Sequence, residues 1–297
     1  MNGCPNHPYK VLNPNTPYGT PTTFNVPLLP SITSAALTST KGSKDLSAQG
    51  GGVGVLFNGA LVFSAYGGPQ YGQTTSYTNT AAYAEGYSFD QCGCHASTSN
   101  SVSYHCHVPP SCLLQQLGQT DTAHSPQIGW MADGFPLYGP RGKDGRLLQS
   151  CAVAGLTYGT DTCVDSCNGH GAATGGGPCW VNDGFTYRYY LLGFYDNGLG
   201  CTAPTSYGSS SALYYPMTPL CLRGCGSTTF QNQALISSCS GTTTSGTTTT
   251  TGAKTGLPVN ANACAYASLT TGTASPSGKV STVGTSSAPS ASQCQCS

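Results

Sequence analysis

Two short apolar runs, Val53–Phe57 and Ala60–Tyr66, flank Asn58-Gly59. This is the pattern of a β-hairpin, because glycine enters the left-handed turn region without steric cost. A second hairpin is predicted in IGWMADGFPLYGPRG, where Asp133-Gly134 separates Ile128–Ala132 from Phe135–Tyr138. Set in register, at an offset of 75 residues, the two turns bring Asp90-x-Cys92-x-x-His95 onto Asp165-x-Cys167-x-x-His170 without a gap. Gly59, Gly67 and Tyr83 then meet Gly134, Gly142 and Tyr158. Further along lie Tyr104-His105-Cys106-His107 in the first copy and Tyr187-Arg188-Tyr189-Tyr190 in the second, the latter displaced by a longer Gly-rich loop. The reading is mainly β: a duplicated antiparallel β unit, about 53–112 and 128–201, forming one disulfide-rich, sandwich-like domain within residues 53–236.

Helix-compatible windows are scarce among so many Gly, Pro, Thr and Ser residues, and Ser111–Leu117 is the best short one. Residues 1–52 open with Pro5, Pro8, Pro14, Pro17, Pro21, Pro27 and Pro30 and are expected to form an extended arm and lead-in segment. Residues 237–297 are a Thr/Ser/Gly-rich tail with terminal cysteines. Its composition is mucin-like, and Thr242, Thr243, Thr244, Thr247, Thr248, Thr249, Thr250 and Thr251 are candidates for O-linked sugar.

Ten basic and ten acidic residues leave a net charge of zero, and charged residues make up only 7% of the chain. No basic field is present to attract nucleic acid. No apolar run approaches the length of a membrane-spanning helix. The opening MNGCPNHPYK has no cationic start and no apolar core of an export signal, so the numbered chain is expected to be a mature form. Sixteen cysteines without a repeated zinc-ribbon spacing point to disulfides and an extracellular or cell-surface location.

The candidate chemistry lies in SFDQCGCH and VSYHCHVPPSC. In a strand, His105 and His107 share one face, with Tyr104 and Cys106 on the other. With His95 they offer three nitrogen ligands, a set that suits zinc or copper, and Asp90 is a further candidate ligand or partner. A buried hydrogen-bonded network of the same histidines and tyrosines is the alternative. In the second copy Arg188 and Tyr190 stand where the strand histidines would be, so at most one site is expected, with Arg188 pairing to Asp165. Asp133 is explained by its turn, and His124-Ser125 by a loop. Glu85 is the sole glutamate, so paired-carboxylate hydrolysis would fall to aspartates.

The segments Asp133-Gly134-Phe135-Pro136-Leu137-Tyr138-Gly139, Asp165-Ser166-Cys167-Asn168-Gly169-His170 and Tyr104-His105-Cys106-His107 resemble the motifs of the YHYH-domain family, across roughly residues 53–201. The resemblance implies no particular activity. Two departures occur together: Cys94 replaces the family's second glycine and Cys106 its second tyrosine. Their paired appearance implies a Cys94–Cys106 bridge, and the same logic extends to Cys92–Cys112 and Cys167–Cys201.

The functional expectation is a secreted structural protein, a subunit of a filament, appendage or surface assembly, with copies of itself, other extracellular proteins or glycans as partners. The alternative is a secreted metal-dependent enzyme using His95, His105 and His107. A carbohydrate-binding module, resting on eighteen tyrosines, is a third reading.

Overall fold

Both glycine turns form. Gly59 and Gly134 each adopt φ of 86°. Leu56 N–H donates to Ala60 O at 2.8 Å, and Met131 N–H to Phe135 O at 3.0 Å, so each loop has three residues with glycine in the left-handed position. These loops join β1 (Gly52–Leu56) to β2 (Leu61–Phe63), and β5 (Gln127–Met131) to β6 (Pro136–Tyr138). In this computed structural model the described residues are 24–27, 30–47, 51–67, 80–96, 104–159, 163–171, 183, 185–194 and 213–225, with short strands at 229–230, 233–234, 243–244 and 281–283.

Four more strands complete one eight-stranded sheet: β3 (Cys94–Ala96), β4 (Tyr104–Cys106), β7 (Gly169–Gly171) and β8 (Tyr187–Tyr190). Their order is β7-β8-β6-β5-β1-β2-β4-β3. Strands β1, β2 and β3 map onto β5, β6 and β7 at the same offset of 75 residues. At the centre β1 and β5 run antiparallel, Gly54 opposite Met131 and Leu56 opposite Gly129, which relates the halves by a local twofold. The approach there is close: a Cβ on Gly129 would fall 2.2 Å from Val55 O.

The sheet is mixed, which corrects the expected antiparallel, sandwich-like unit. Pairs β2·β4 and β6·β8 are parallel. The physical reason is the connection: α1 (Ala81–Glu85) lies between β2 and β4, and the helix Cys151–Ala154 between β6 and β8, returning the chain in its original direction. Both faces are covered, so β1 is buried along its whole length. Val53, Val62, Ile128, Met131, Phe135 and Leu137 form the centre of the core.

Four disulfides link described residues: Cys92–Cys112, Cys94–Cys106, Cys151–Cys163 and Cys167–Cys221. The expected Cys167–Cys201 bridge is replaced by the last of these, and Cys201 lies outside the described residues. Cys221 is delivered because Cys221–Leu222 pairs with Lys44–Asp45, while Arg223 Nε reaches Asp165 Oδ2 at 2.6 Å.

The lead-in segment contributes to the core through Phe24, Val26, Ile32, Ala36 and Leu46. It contains a short helix, Ser34–Thr38, capped by the Thr33 hydroxyl. Two tail segments pair with it: Thr243–Thr244 with Ile32–Thr33, and Ser281–Val283 with Phe24–Val26. Of the candidate sugar-bearing threonines, Thr242, Thr247, Thr248, Thr249, Thr250 and Thr251 lie outside the described residues. The helix α2 (Ser111–Gln116) forms where the sequence pattern placed one.

Candidate metal centre

Strand pairing brings the histidines together. His95 on β3 lies directly opposite His105 on β4, and His107 follows two residues later on the same side. A fourth group arrives from elsewhere: Glu85, the last residue of α1. Thr80 caps this helix by accepting from Tyr83 N at 3.2 Å, and the turn Gly86–Ser88 ends it immediately after the carboxylate. One donor atom from each of Glu85, His95, His105 and His107 lies within 4.8 Å of every other, and all four residues are buried.

Three of the donor–donor distances are close to those of a coordination shell. His95 Nε2 is 2.9 Å from His105 Nε2 and 3.2 Å from Glu85 Oε2, and His107 Nε2 is 3.3 Å from Glu85 Oε2. A tetrahedron with ligands at zinc–nitrogen distances has edges of about 3.3 Å. Outer partners fix the proton positions. His107 Nδ1 is 2.7 Å from Ser64 O, a carbonyl that only accepts, so this nitrogen carries hydrogen, and in the neutral ring Nε2 carries the lone pair. Ser88 Oγ donates to Glu85 O, leaving its oxygen to accept from His95 Nδ1 at 2.7 Å. His95 Nε2 is therefore also turned inward as an acceptor.

Aromatic walls keep the cluster dry. Phe63 stacks on His105 at 3.7 Å, and Phe89 meets His95 edge-on at 4.8 Å. Burial pushes the Glu85 carboxyl upward, but His107 and His95 outweigh it and hold the group well below its usual range. For His95, burial dominates the pull of Glu85 and lowers the imidazole, favouring the neutral, ligating form.

Asp90, a candidate ligand from sequence, is engaged in its turn. Its Oδ1 accepts from Cys92 N at 2.8 Å and Cys94 N at 3.2 Å, and its Oδ2 accepts from the Tyr104 hydroxyl. Asp165 repeats the arrangement, accepting from Cys167 N at 2.8 Å, Gly169 N at 3.1 Å and the Tyr187 hydroxyl at 3.0 Å. Carboxylate and tyrosine therefore build the strand entrance in both halves. Cys94 and Cys106 are joined on the sheet face opposite the imidazoles, and Cys92 is bonded to Cys112 on α2, so none of these sulfurs is a thiolate ligand. Glu85 was not singled out as a ligand from sequence; being the only glutamate, on a short helix close before the Asp90 turn, was the available signal.

The second half assembles differently. Arg188 forks onto Asp183 at 2.7 and 3.1 Å, whereas Asp165 is paired by Arg223, which corrects the expected Arg188–Asp165 pair. Asp183 is nearer because it lies five residues before Arg188. Tyr138 OH also donates to Asp183, at 2.9 Å, and His124 Nε2 lies 2.9 Å from Tyr190 OH. His170 is buried beside Arg188 with neither ring nitrogen hydrogen-bonded. Asp133 is fully buried at its turn, accepting from Tyr189 OH at 2.6 Å and Gly224 N at 2.8 Å.

Fold and site together define a disulfide-linked, mainly β protein with a buried three-histidine, one-glutamate cluster. Residues 23–159 match the family model described as YHYH protein. No curated protein and no solved structure matches. The disulfides place the fold in an oxidising, extracytoplasmic compartment, and among the described residues no helix is long and apolar enough to cross a membrane.

Proposed function

We propose that this protein binds one divalent transition-metal ion of the zinc class through Glu85, His95, His105 and His107, as a structural or stored ion in an extracytoplasmic β domain. The observation that carries the reading is His107. Its Nδ1 proton is committed to Ser64 O, so in the neutral ring the Nε2 lone pair faces the Glu85 carboxylate at 3.3 Å. Two acceptors at that distance repel each other, and a cation between them turns repulsion into coordination. Three imidazoles and a carboxylate suit zinc, and copper(II) accepts the same nitrogen donors. Four protein donors fill a tetrahedral shell, which supports a structural or stored ion over a metal-dependent hydrolase, where one position belongs to water.

Equilibrium dialysis against zinc or copper(II), followed by elemental analysis, tests this. About one ion per chain is expected for the wild type and almost none for His107→Ala. Stoichiometry near zero in the wild type overturns the reading.

Composition supports a second reading, in which this domain is a subunit of an extracellular assembly. Only 7% of residues are charged, leaving little like-charge repulsion to keep copies apart. The Thr-rich tail is suited to O-linked sugar. Electron microscopy at high protein concentration showing only dispersed single copies removes this reading.

A further inference from the structure

Resting on the metal reading, we infer that the bound ion supplies the first half of the sheet with a buried positive charge that the second half carries permanently as the Arg188 guanidinium. Metal binding then locks the histidine-bearing strands of one half, while the other half keeps its order without any ion.

The register makes the equivalence. His105 lies opposite His95 on the neighbouring strand, and Arg188 lies opposite His170 in the same way. The residues that follow them agree: Cys106 pairs with Val62 across the parallel strand, and Tyr189 pairs with Leu137, the counterpart of Val62 at the 75-residue offset. Arg188 thus occupies the strand position of a metal ligand. It is 0% exposed and forks onto the carboxylate of Asp183.

The charge logic is the same in both halves. Each buries a carboxylate beside its tyrosine-led segment, Glu85 at 3.3 Å from His107 Nε2 in one and Asp183 at 2.7 Å from Arg188 Nη2 in the other. A buried carboxylate without a cation is expensive. In the second half the cation is part of the chain. In the first half the corresponding position holds an imidazole, and two neighbouring Nε2 lone pairs turn toward the same centre. That centre is arranged to receive an ion. The disulfides Cys94–Cys106 and Cys92–Cys112 cross-link the segments that carry the ligands, so loss of the ion loosens the half locally without unfolding the domain.

Hydrogen–deuterium exchange of the full chain, with zinc and with chelator, reads this directly. Zinc is expected to slow amide exchange about tenfold or more in residues 80–96 and 104–108, and to leave 163–171 and 187–192 unchanged. His105→Arg should bind no zinc, yet in chelator show the protection of the zinc-loaded wild type. His105→Ala should exchange rapidly with or without zinc. Zinc uptake with unchanged exchange in both halves overturns the inference, as does His105→Arg behaving like His105→Ala. If His105→Arg fails to fold, the wild-type comparison decides alone. Elemental analysis of the same samples separates these failures from loss of the metal reading itself, which a wild type without bound zinc would bring down.

Discussion

The two halves of the sheet share a skeleton and differ in what they enclose. Each has a glycine-turn hairpin, an aspartate that accepts from the backbone N–H groups two and four residues on, and a tyrosine hydroxyl closing that aspartate. Between those fixed points the first half places three imidazoles and Glu85, and the second places Arg188, Asp183, Tyr138 and Tyr190. The difference separates two roles within one short segment. Tyr104 and Tyr187 serve the fold, whereas the alternate positions, 105 and 107 or 188 and 190, set the chemistry of the buried interior.

The largest effect expected from breaking this comparison is in the second half. Asp183→Ala leaves Arg188 buried beside His170 without its carboxylate, and should cost about 3–5 kcal/mol in urea denaturation, equally with and without zinc. Next is the acid dependence of the Asp133 turn, whose counterpart in the first half is the neutral Asn58. Burial pushes Asp133 up to about 6 from a usual 3.8, against the hydrogen bonds from Tyr189 and Gly224. A carboxyl raised in the folded state contributes stability that is complete below about 3.8 and lost as pH rises through about 6. Urea midpoints across pH 3–7 should fall by the equivalent of roughly 3 kcal/mol for this group and flatten in Asp133→Asn, which makes the two turns alike.

A smaller loss sharpens the assignment of Asp90. Asp90→Ala should cost about 1–3 kcal/mol by stranding Cys92 N, Cys94 N and the Tyr104 hydroxyl, while zinc stoichiometry is retained. Loss of zinc with unchanged stability would instead make Asp90 a ligand. The smallest effect is at Ser88, which orients His95 from outside the cluster. Ser88→Ala should weaken zinc binding about tenfold by calorimetry, with the fold intact.

Much of this comparison was visible in the sequence. Asn58-Gly59 and Asp133-Gly134 marked both hairpins, and the constant spacing to Asp90 and Asp165 marked the repeat, because turn chemistry is local and residue-specific. Strand alternation likewise put His105 and His107 on one face. Three features were hidden, each because it depends on distant chain. Parallel and antiparallel strands show the same alternation, so the sense of β2·β4 waited on the path through α1. Cys221 reaches Cys167 across 54 residues, through a pairing with Lys44–Asp45 that no local pattern announces. Glu85 enters the cluster from a five-residue helix, and a single carboxylate in AAYAE has no spacing relation to the histidines that a motif could capture.

X-ray absorption at the zinc edge of the loaded protein tests the four-residue site most directly. Three imidazole nitrogens and one oxygen at about 2.0–2.1 Å are the predicted result for the wild type, with almost no zinc retained by His107→Ala. A shell containing sulfur, or a wild-type spectrum unchanged by that substitution, would contradict the site.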